Sequence, residues 1–183
     1  MQRVLVTGNA GTCKTTLVRL LAASLDLPGH SLDSIVWRSG WQKTPADEKA
    51  ASIRALVAGD RWVIDGVSFD VMAAADTIIF LDLPRRVAGW RAAKRTVRHL
   101  FGTRPEMPDG CVEAFVVRKL AHIIRIFPTT TRPRILAALG ARPAGQVVVH
   151  VSSPSAQRRL VASISAAAGD AGGVARAVRS FAA

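Results

Sequence analysis

The sequence predicts an α/β fold built on a parallel sheet, and three observations predict it. Short runs dominated by apolar and β-branched residues recur at 2–7, 62–64, 77–81 and 147–151. Segments with apolar residues at helical spacing lie between them. The first run leads at once into a glycine-containing turn and then a helix. Strands that are apolar on both sides belong in sheets covered by helices on both faces, and such sheets are parallel.

Residues 2–7 read as a buried strand that breaks at Gly8. Over 14–25, Leu17, Leu20, Leu21 and Leu25 fall on one helical face, which closes before Pro28. A short segment at 30–32, a helix over 45–58 and a strand at 62–64 come next. Ile78, Ile79, Phe80 and Leu81 make 77–81 the clearest strand after the first. Pro84 suits a helix's first turn, where its missing N–H is not needed, and that helix is expected to reach about residue 100. A loop rich in Gly, Pro and charge spans 101–110, and helical pattern returns over 112–126. Pro128 and Pro133 predict a junction before another helix near Leu139. A last strand is expected at 147–151 and a helix at 155–165, with an Ala- and Gly-rich tail over 166–183 that frays or forms a loose helix. Among the tryptophans, Trp62 and Trp90 read as core.

The bulk numbers bound what such a chain can be. With 183 residues it is expected to form one main domain, over 1–165, ahead of the tail. Apolar residues make up 49% of it, dispersed among charges, and no run reaches the roughly 18 to 20 needed to cross a bilayer. The first residues lack the pattern of a signal peptide, so a cytoplasmic location with no membrane partner is expected. Cys13 and Cys111 are too few and too far apart for a disulfide framework and read as reduced thiols. The net charge of +12 is uneven: eight Lys/Arg against nine Asp/Glu through Asp82, then seventeen against four. A basic C-terminal half attracts polyanions, whether nucleotide phosphates or nucleic acid, or serves solubility.

The turn after the first strand carries the chemistry. Gly8, Asn9, Ala10, Gly11, Thr12, Cys13, Lys14, Thr15 and Thr16 follow the order of a P-loop, which needs glycines so that backbone N–H groups converge on phosphate. Lys14 neutralises the β and γ oxygens, and the Thr15 hydroxyl ligates Mg²⁺, so the expected ligands are ATP and Mg²⁺. Cys13 stands where the pattern GxxxxGK[ST] has its last glycine. If the loop requires positive φ there, a residue with a Cβ carries about 1 to 2 kcal/mol of strain and crowds the phosphates. Oxidation of that thiol would block the site, and the plainer alternative is a small side chain that is tolerated.

Beyond the loop, an ordered series of short motifs carries a resemblance. Leu32-Asp33, Trp37, Gly40-Trp41, the run Trp62 through Gly66, and Ile78 through Arg85 are followed by Thr103 through Met107, Gly110-Cys111, Phe127-Pro128 and Arg132-Pro133. The chain over about 2–160 resembles the adenylate-kinase-like P-loop NTPases called DNA topology modulation proteins. The resemblance implies a P-loop kinase-like three-layer sandwich with a five-stranded parallel sheet, order 2-3-1-4-5, and a small mobile lid at about 100–112. It implies phosphoryl transfer from ATP, while the family's name implies DNA. The family's loop ordinarily has glycine where this chain has Cys13.

In similar kinases an acid after the second strand contacts the acceptor or acts as its base, which gives Asp33 that role; the alternative is a helix N-cap. Asp65 and Gly66 end a strand facing the same crevice, and Gly66 is expected to let an acceptor approach the backbone. Asp82 reads as a cap for the helix at Pro84 rather than a Mg²⁺ contact. From Arg85 to Arg104 there are seven Lys/Arg and no acid. The layout implies that Arg91, Arg95 and Arg104 close over the phosphates, the alternative for each being a solvated helix face. Trp37 and Trp41 are candidates to stack on a nucleobase or to wall an acceptor pocket, with Trp37 the one assigned to substrate binding; the alternative is that the two are core. Ser152, Ser153 and Pro154 read as an ordinary helix start, or as a wall around adenine as in similar kinases. Three functions remain open: an ATP-dependent kinase for a nucleotide or other small acceptor, a nucleotide-binding regulator without efficient transfer, and a DNA-associated protein acting through the basic half.

Overall fold

The computed structural model describes residues 1–98 and 113–182. The expected lid, Arg104 and Cys111 therefore lie outside the described residues. In chain order the elements are β1 (Arg3–Gly8), α1 (Lys14–Leu25), β2 (Gly29–Ser31), α2 (Leu32–Val36), β3 (Trp37–Arg38), β4 (Gln42–Lys43), α3 (Ala46–Val57), β5 (Trp62–Asp65), α4 (Phe69–Ala74) and β6 (Thr77–Leu81). There follow α5 (Arg85–Arg98), α6 (Val117–Gly140), β7 (Val147–Val151), α7 (Pro154–Ala166) and α8 (Ala171–Arg179).

Five strands form one sheet in the order β2-β5-β1-β6-β7, and every pairing in it is parallel. Counting only these strands in chain order, the sheet reads 2-3-1-4-5, as expected. Alternation at period two sends Val4, Val6, Val63, Ile79 and Val149 to one face, under Leu17 and Leu21 of α1, Leu160 and Ile164 of α7, and Val174 and Val178 of α8. Leu5, Trp62, Ile64, Ile78 and Phe80 go to the other, against Ile53, Val71, Phe127, Ile135 and Leu139. Helix layers on both faces make a three-layer α/β sandwich of the P-loop kinase-like type.

One expectation from local pattern gives way to packing. The predicted junction at Pro128 and Pro133 is absent, because α6 runs through both prolines. Pro128 cannot donate to the Ile124 carbonyl four residues back. That carbonyl instead accepts from Asn9 Nδ2 at 3.2 Å, while the Thr129 and Thr130 hydroxyls bond the Ile126 carbonyl at 3.0 and 2.9 Å. Buried Ile124, Phe127, Ile135 and Leu139 hold one face across the interruption. Of the two forms expected for the tail, fraying or a loose helix, the structure has a helix, α8, held by fully buried Val174 and Val178, and Ala182 beyond it bridges antiparallel to Val149.

Two single residues also depart from expectation. Trp62 is core, but Trp90 is 72% exposed on the outer side of α5, whose inward face is formed by Ala88, Ala92 and Thr96. Small inward residues bring that helix close and leave no room for an indole beneath it. Asp82 does not use its carboxylate as a helix cap. It receives Arg132 Nε at 2.8 and 3.0 Å and His150 Nε2 at 2.9 Å, tying α6 and β7 to the end of β6.

Candidate functional site

Parallel strands end together, so the turns after β1, β2 and β5 open onto one edge of the sheet. A cleft of about 1010 Å³ lies there. It is lined by Gly8, Ala10, Gly11, Cys13, Lys14, Thr15 and Thr16 from the loop after β1, and by Asp33, Trp37, Asp65, Gly66, Arg91 and Arg95 from elsewhere. The fold thus gathers most of the sequence-selected residues at one place. Asn9 and Thr12 are instead buried beneath the loop, and Arg104 lies outside the described residues.

The loop is braced from below by its own side chains. Asn9 Oδ1 accepts from the Ala10 N–H at 2.8 Å, and the Thr12 hydroxyl donates to the Asn9 carbonyl at 2.8 Å. Gln157 of α7, itself buried, donates Nε2 to the Thr12 carbonyl at 2.7 Å and accepts from Arg91 at 2.6 Å. A Cβ at Gly11, where φ is +78°, would collide with the Ala88 carbonyl, so loop and α5 meet backbone to backbone. Cys13 adopts φ 65° and ψ 35°, the left-handed conformation in which a Cβ is strained by about 1 to 2 kcal/mol. The glycine-shaped position is therefore retained and filled by an exposed thiol.

Cys13 provides no side-chain cap to α1. The first turn of that helix faces the cleft with N–H donors and the positive end of its dipole, and contains no acid. Lys14 reaches back over the loop to the Asn9 carbonyl at 2.9 Å. Burial lowers its pKa most; Asp33 and Asp65 pull it back up, and Arg95 pushes it further down. The net shift is downward, because the cost of burying the ammonium exceeds the support of the two carboxylates.

Thr15 donates its hydroxyl to Asp65, whose other carboxylate oxygen accepts from Ser31 at 2.6 Å. Asp65 is 3% exposed, so a buried carboxylate is oriented by two hydroxyls from β2 and α1. This places it against the metal-ligating candidate Thr15 rather than on the acceptor wall alone. A phosphate-bound Mg²⁺ is held in P-loop proteins by this pair of residue types. Among the described residues no three His, Cys, Asp or Glu form a cluster that could hold a metal ion. An ion held by Thr15 and Asp65 would complete its shell with phosphate oxygens and water.

The opposite wall is made of short pieces. Asp33 sits in the first turn of α2, exposed to the cleft, with Ser31 and not Asp33 at the N-cap position. The Trp37 N–H closes that turn on the Asp33 carbonyl, stacking the two residues along one side. Trp37 and Trp41 are half-buried and meet edge to face, centroids 5.5 Å apart at 76°. The space that Gly66 leaves is taken by Leu32, whose Cβ would stand 2.7 Å from an added Cβ, so its reason is packing within the chain. Across the cleft, Arg91, Lys94, Arg95 and Arg98 of α5 and Lys119 of α6 join Lys14 and Arg19. These seven cations face two acids, Asp33 and Asp65. Ser153 caps α7 through the Ala156 N–H at 3.1 Å, the ordinary helix start that the sequence suggests.

Ser31, Gln157 and Lys119 carry no signal in the sequence. A serine on a three-residue strand, a glutamine in a helix and one of many lysines become site residues only when folding places them. Asp65 was legible as strand-terminal and Thr15 as a metal-ligand candidate, but the bond that joins them was not.

Fold and site together define an α/β protein with kinase-like sheet order and a strand–loop–helix turn shaped to receive anions. No protein-family model and no curated protein matches the sequence. Among solved structures, the chain is similar to an unliganded sugar kinase from Janibacter sp. HTCC2649, with 16% identity and a TM-score of 0.38 over 70% of this chain and 96% of that one. It is also similar to a protein from Chloroflexus aurantiacus J-10-fl provisionally described as a kinase, with 17% identity and a TM-score of 0.46 over 83% of this chain and 89% of that one.

Proposed function

We propose that this chain is an ATP-binding phosphotransferase that moves the γ-phosphoryl group to a small acceptor, a nucleotide or another hydroxylated molecule. The observation that carries the reading is the convergence of Lys14, the Thr15–Asp65 pair and the uncapped start of α1 on a cleft with seven cations. Phosphoryl transfer needs positioning and positive charge more than covalent help from the protein.

In this reading the α1 N-terminus and Lys14 hold the β and γ oxygens, and Thr15 with Asp65 holds Mg²⁺. The bound ion would offset the charge that builds on the phosphate oxygens as transfer proceeds. Arg91, positioned by Gln157, and Arg95 approach the same group from α5. Arg104 would add to them. Asp33 accepts the acceptor's hydroxyl proton as its oxygen bonds to the γ-phosphorus; the bond from that phosphorus to the β–γ bridging oxygen breaks, and ADP leaves. Trp37, Asp65 and Gly66 form the wall around the acceptor.

A second reading is favoured by Cys13. Its left-handed backbone and exposed thiol at the rim of the loop suit a chain that binds nucleotide but transfers slowly, acting as a regulator. Five described cations of the basic half line the cleft, where a nucleotide's phosphates would meet them, while others such as Arg85, Arg118, Arg134 and Arg158 are exposed outside it, the feature that a nucleic-acid reading would use. No helix among the described residues is long and apolar enough to cross a membrane.

The deciding experiment measures transfer from ATP to a panel of nucleoside monophosphates and small hydroxylated metabolites, for the native chain and for Cys13→Gly. Turnover by both supports the phosphotransferase. Turnover only in the glycine variant, with tight ATP binding in the native chain, supports the regulator and removes the active-kinase reading.

A further inference from the structure

Among the described residues, one cation that lines the cleft stands without an anion beside it. Lys119, in the first turn of α6, places Nζ 3.9 Å from the centroid of the Trp37 ring, on the opposite wall of the cleft. No carboxylate pairs with it among the described residues. Its neighbour by charge is a second cation, Lys43 of β4. Desolvation and then Lys43 draw its pKa below the ordinary lysine value. Such an arrangement gains by accepting negative charge.

We infer that the acceptor bears an anionic group, which Lys119 binds beside the indole of Trp37. This rests on the phosphotransferase reading and narrows its substrate class. Trp37 follows α2 directly and bonds its N–H to the Asp33 carbonyl, so the two residues are neighbours on one wall of the cleft. A hydroxyl delivered to Asp33 and an anion delivered to Lys119 therefore belong to one small molecule. The ammonium also covers a face of the Trp37 ring, so that face is not offered to a nucleobase for stacking. Asp33, close enough to Lys14 to act on its charge, suits a hydroxyl at the transfer end rather than a second phosphate. The acceptor so defined is a small alcohol that carries a carboxylate or phosphate at its other end.

The test follows the Trp37 indole N–H signal by NMR, assigned with Trp37→Phe, in the full chain with excess ADP and Mg²⁺. Sodium acetate and methyl phosphate are titrated separately, with glycerol and sodium chloride at matched ionic strength as controls. Expected is a saturable shift with one of the two anions, absent with glycerol and chloride, and weakened about tenfold or more in Lys119→Gln but retained in Lys119→Arg. A stronger response to acetate assigns a carboxylate acceptor, and a stronger response to methyl phosphate a phosphorylated one. An equal response in Lys119→Gln, an equal response to glycerol, or no response to either anion overturns the inference. ADP binding is measured in parallel by calorimetry. Its absence removes the phosphotransferase reading, while the Trp37 signal still reports on the anion site.

Discussion

The two walls of the cleft are built differently. The wall formed by loop 8–15 is fastened from beneath: Asn9 and Thr12 are buried, Gln157 reaches the Thr12 carbonyl from α7, and Asn9 also ties the loop to α6. The wall carrying Asp33, Trp37 and Trp41 consists of a five-residue helix and two two-residue strands. Trp37 and Trp41 are half-buried, and Trp41 stands at φ 61°. A triphosphate presents the same oxygens every time and rewards a rigid cradle. An acceptor site made of short surface segments can differ in shape without disturbing the core. The difference predicts that changes on the two walls will fail in different ways.

The largest effect is expected on the loop side. Lys14→Ala or Asp65→Asn should lower transfer by on the order of 10²–10³-fold in kcat, while Trp37→Ala should act mainly on KM for the acceptor. Steady-state kinetics of the three variants check this, and a similar kcat loss in all three would erase the distinction between the walls.

Next comes the bracing. Asn9→Ala leaves the Ile124 carbonyl and the Ala10 N–H without the side chain that serves them, at about 1 to 3 kcal/mol. Urea unfolding should show that loss, and nucleotide affinity should fall with it. An unchanged midpoint would mean that water or local relaxation satisfies both groups.

A smaller effect, outside both walls, tests the anchoring of α6. Burial disfavours the charged form of Asp82, but Arg132 and His150 outweigh it and hold its pKa below the ordinary carboxylate value. A depressed folded-state pKa means stability present above the unfolded value of about 3.9 and lost as pH falls through the lower folded value. Asp82→Asn should therefore cost about 1 kcal/mol at pH 7, allowing for the exposure of Arg132, and progressively less as the pH falls below about 4. Chemical unfolding at pH 7 and below about pH 4 measures the difference, which should shrink with acid.

The smallest stability change belongs to Cys13→Gly. Relief of left-handed strain, about 1 to 2 kcal/mol, is partly offset by the greater freedom of glycine in the unfolded chain, about 0.4 to 1 kcal/mol. Stability should rise by between about 0 and 1.6 kcal/mol, and ATP affinity should rise as the thiol leaves the rim of the loop. Thermal melts with and without ATP separate the two. A fall in affinity would show that the thiol assists binding.

Much of the fold was legible because it depends on local pattern. Strand β6 and helix α1 have the predicted limits, since an unbroken Ile-Ile-Phe-Leu run and leucines at helical spacing admit few alternatives. The loop's place between β1 and α1 follows from the same pattern. The misreadings share a cause: a local signal was overruled by something distant in sequence. Pro128 should break a helix, but Asn9, far upstream, takes the carbonyl it abandons. Trp90 should be buried, but alanines hold α5 too close for it.

By itself, then, the sequence determined the α/β class and the place of the glycine-containing loop between a strand and a helix, because periodicity and loop chemistry are properties of neighbours along the chain; the strand order was only what the family resemblance implied. Only the tertiary structure decided that Asp65 belongs with Thr15, that Gln157 positions Arg91, and that Lys119 lies over Trp37. Those pairings join residues 50, 66 and 82 positions apart, distances over which no sequence pattern acts and only the packing of the sheet and its helices does.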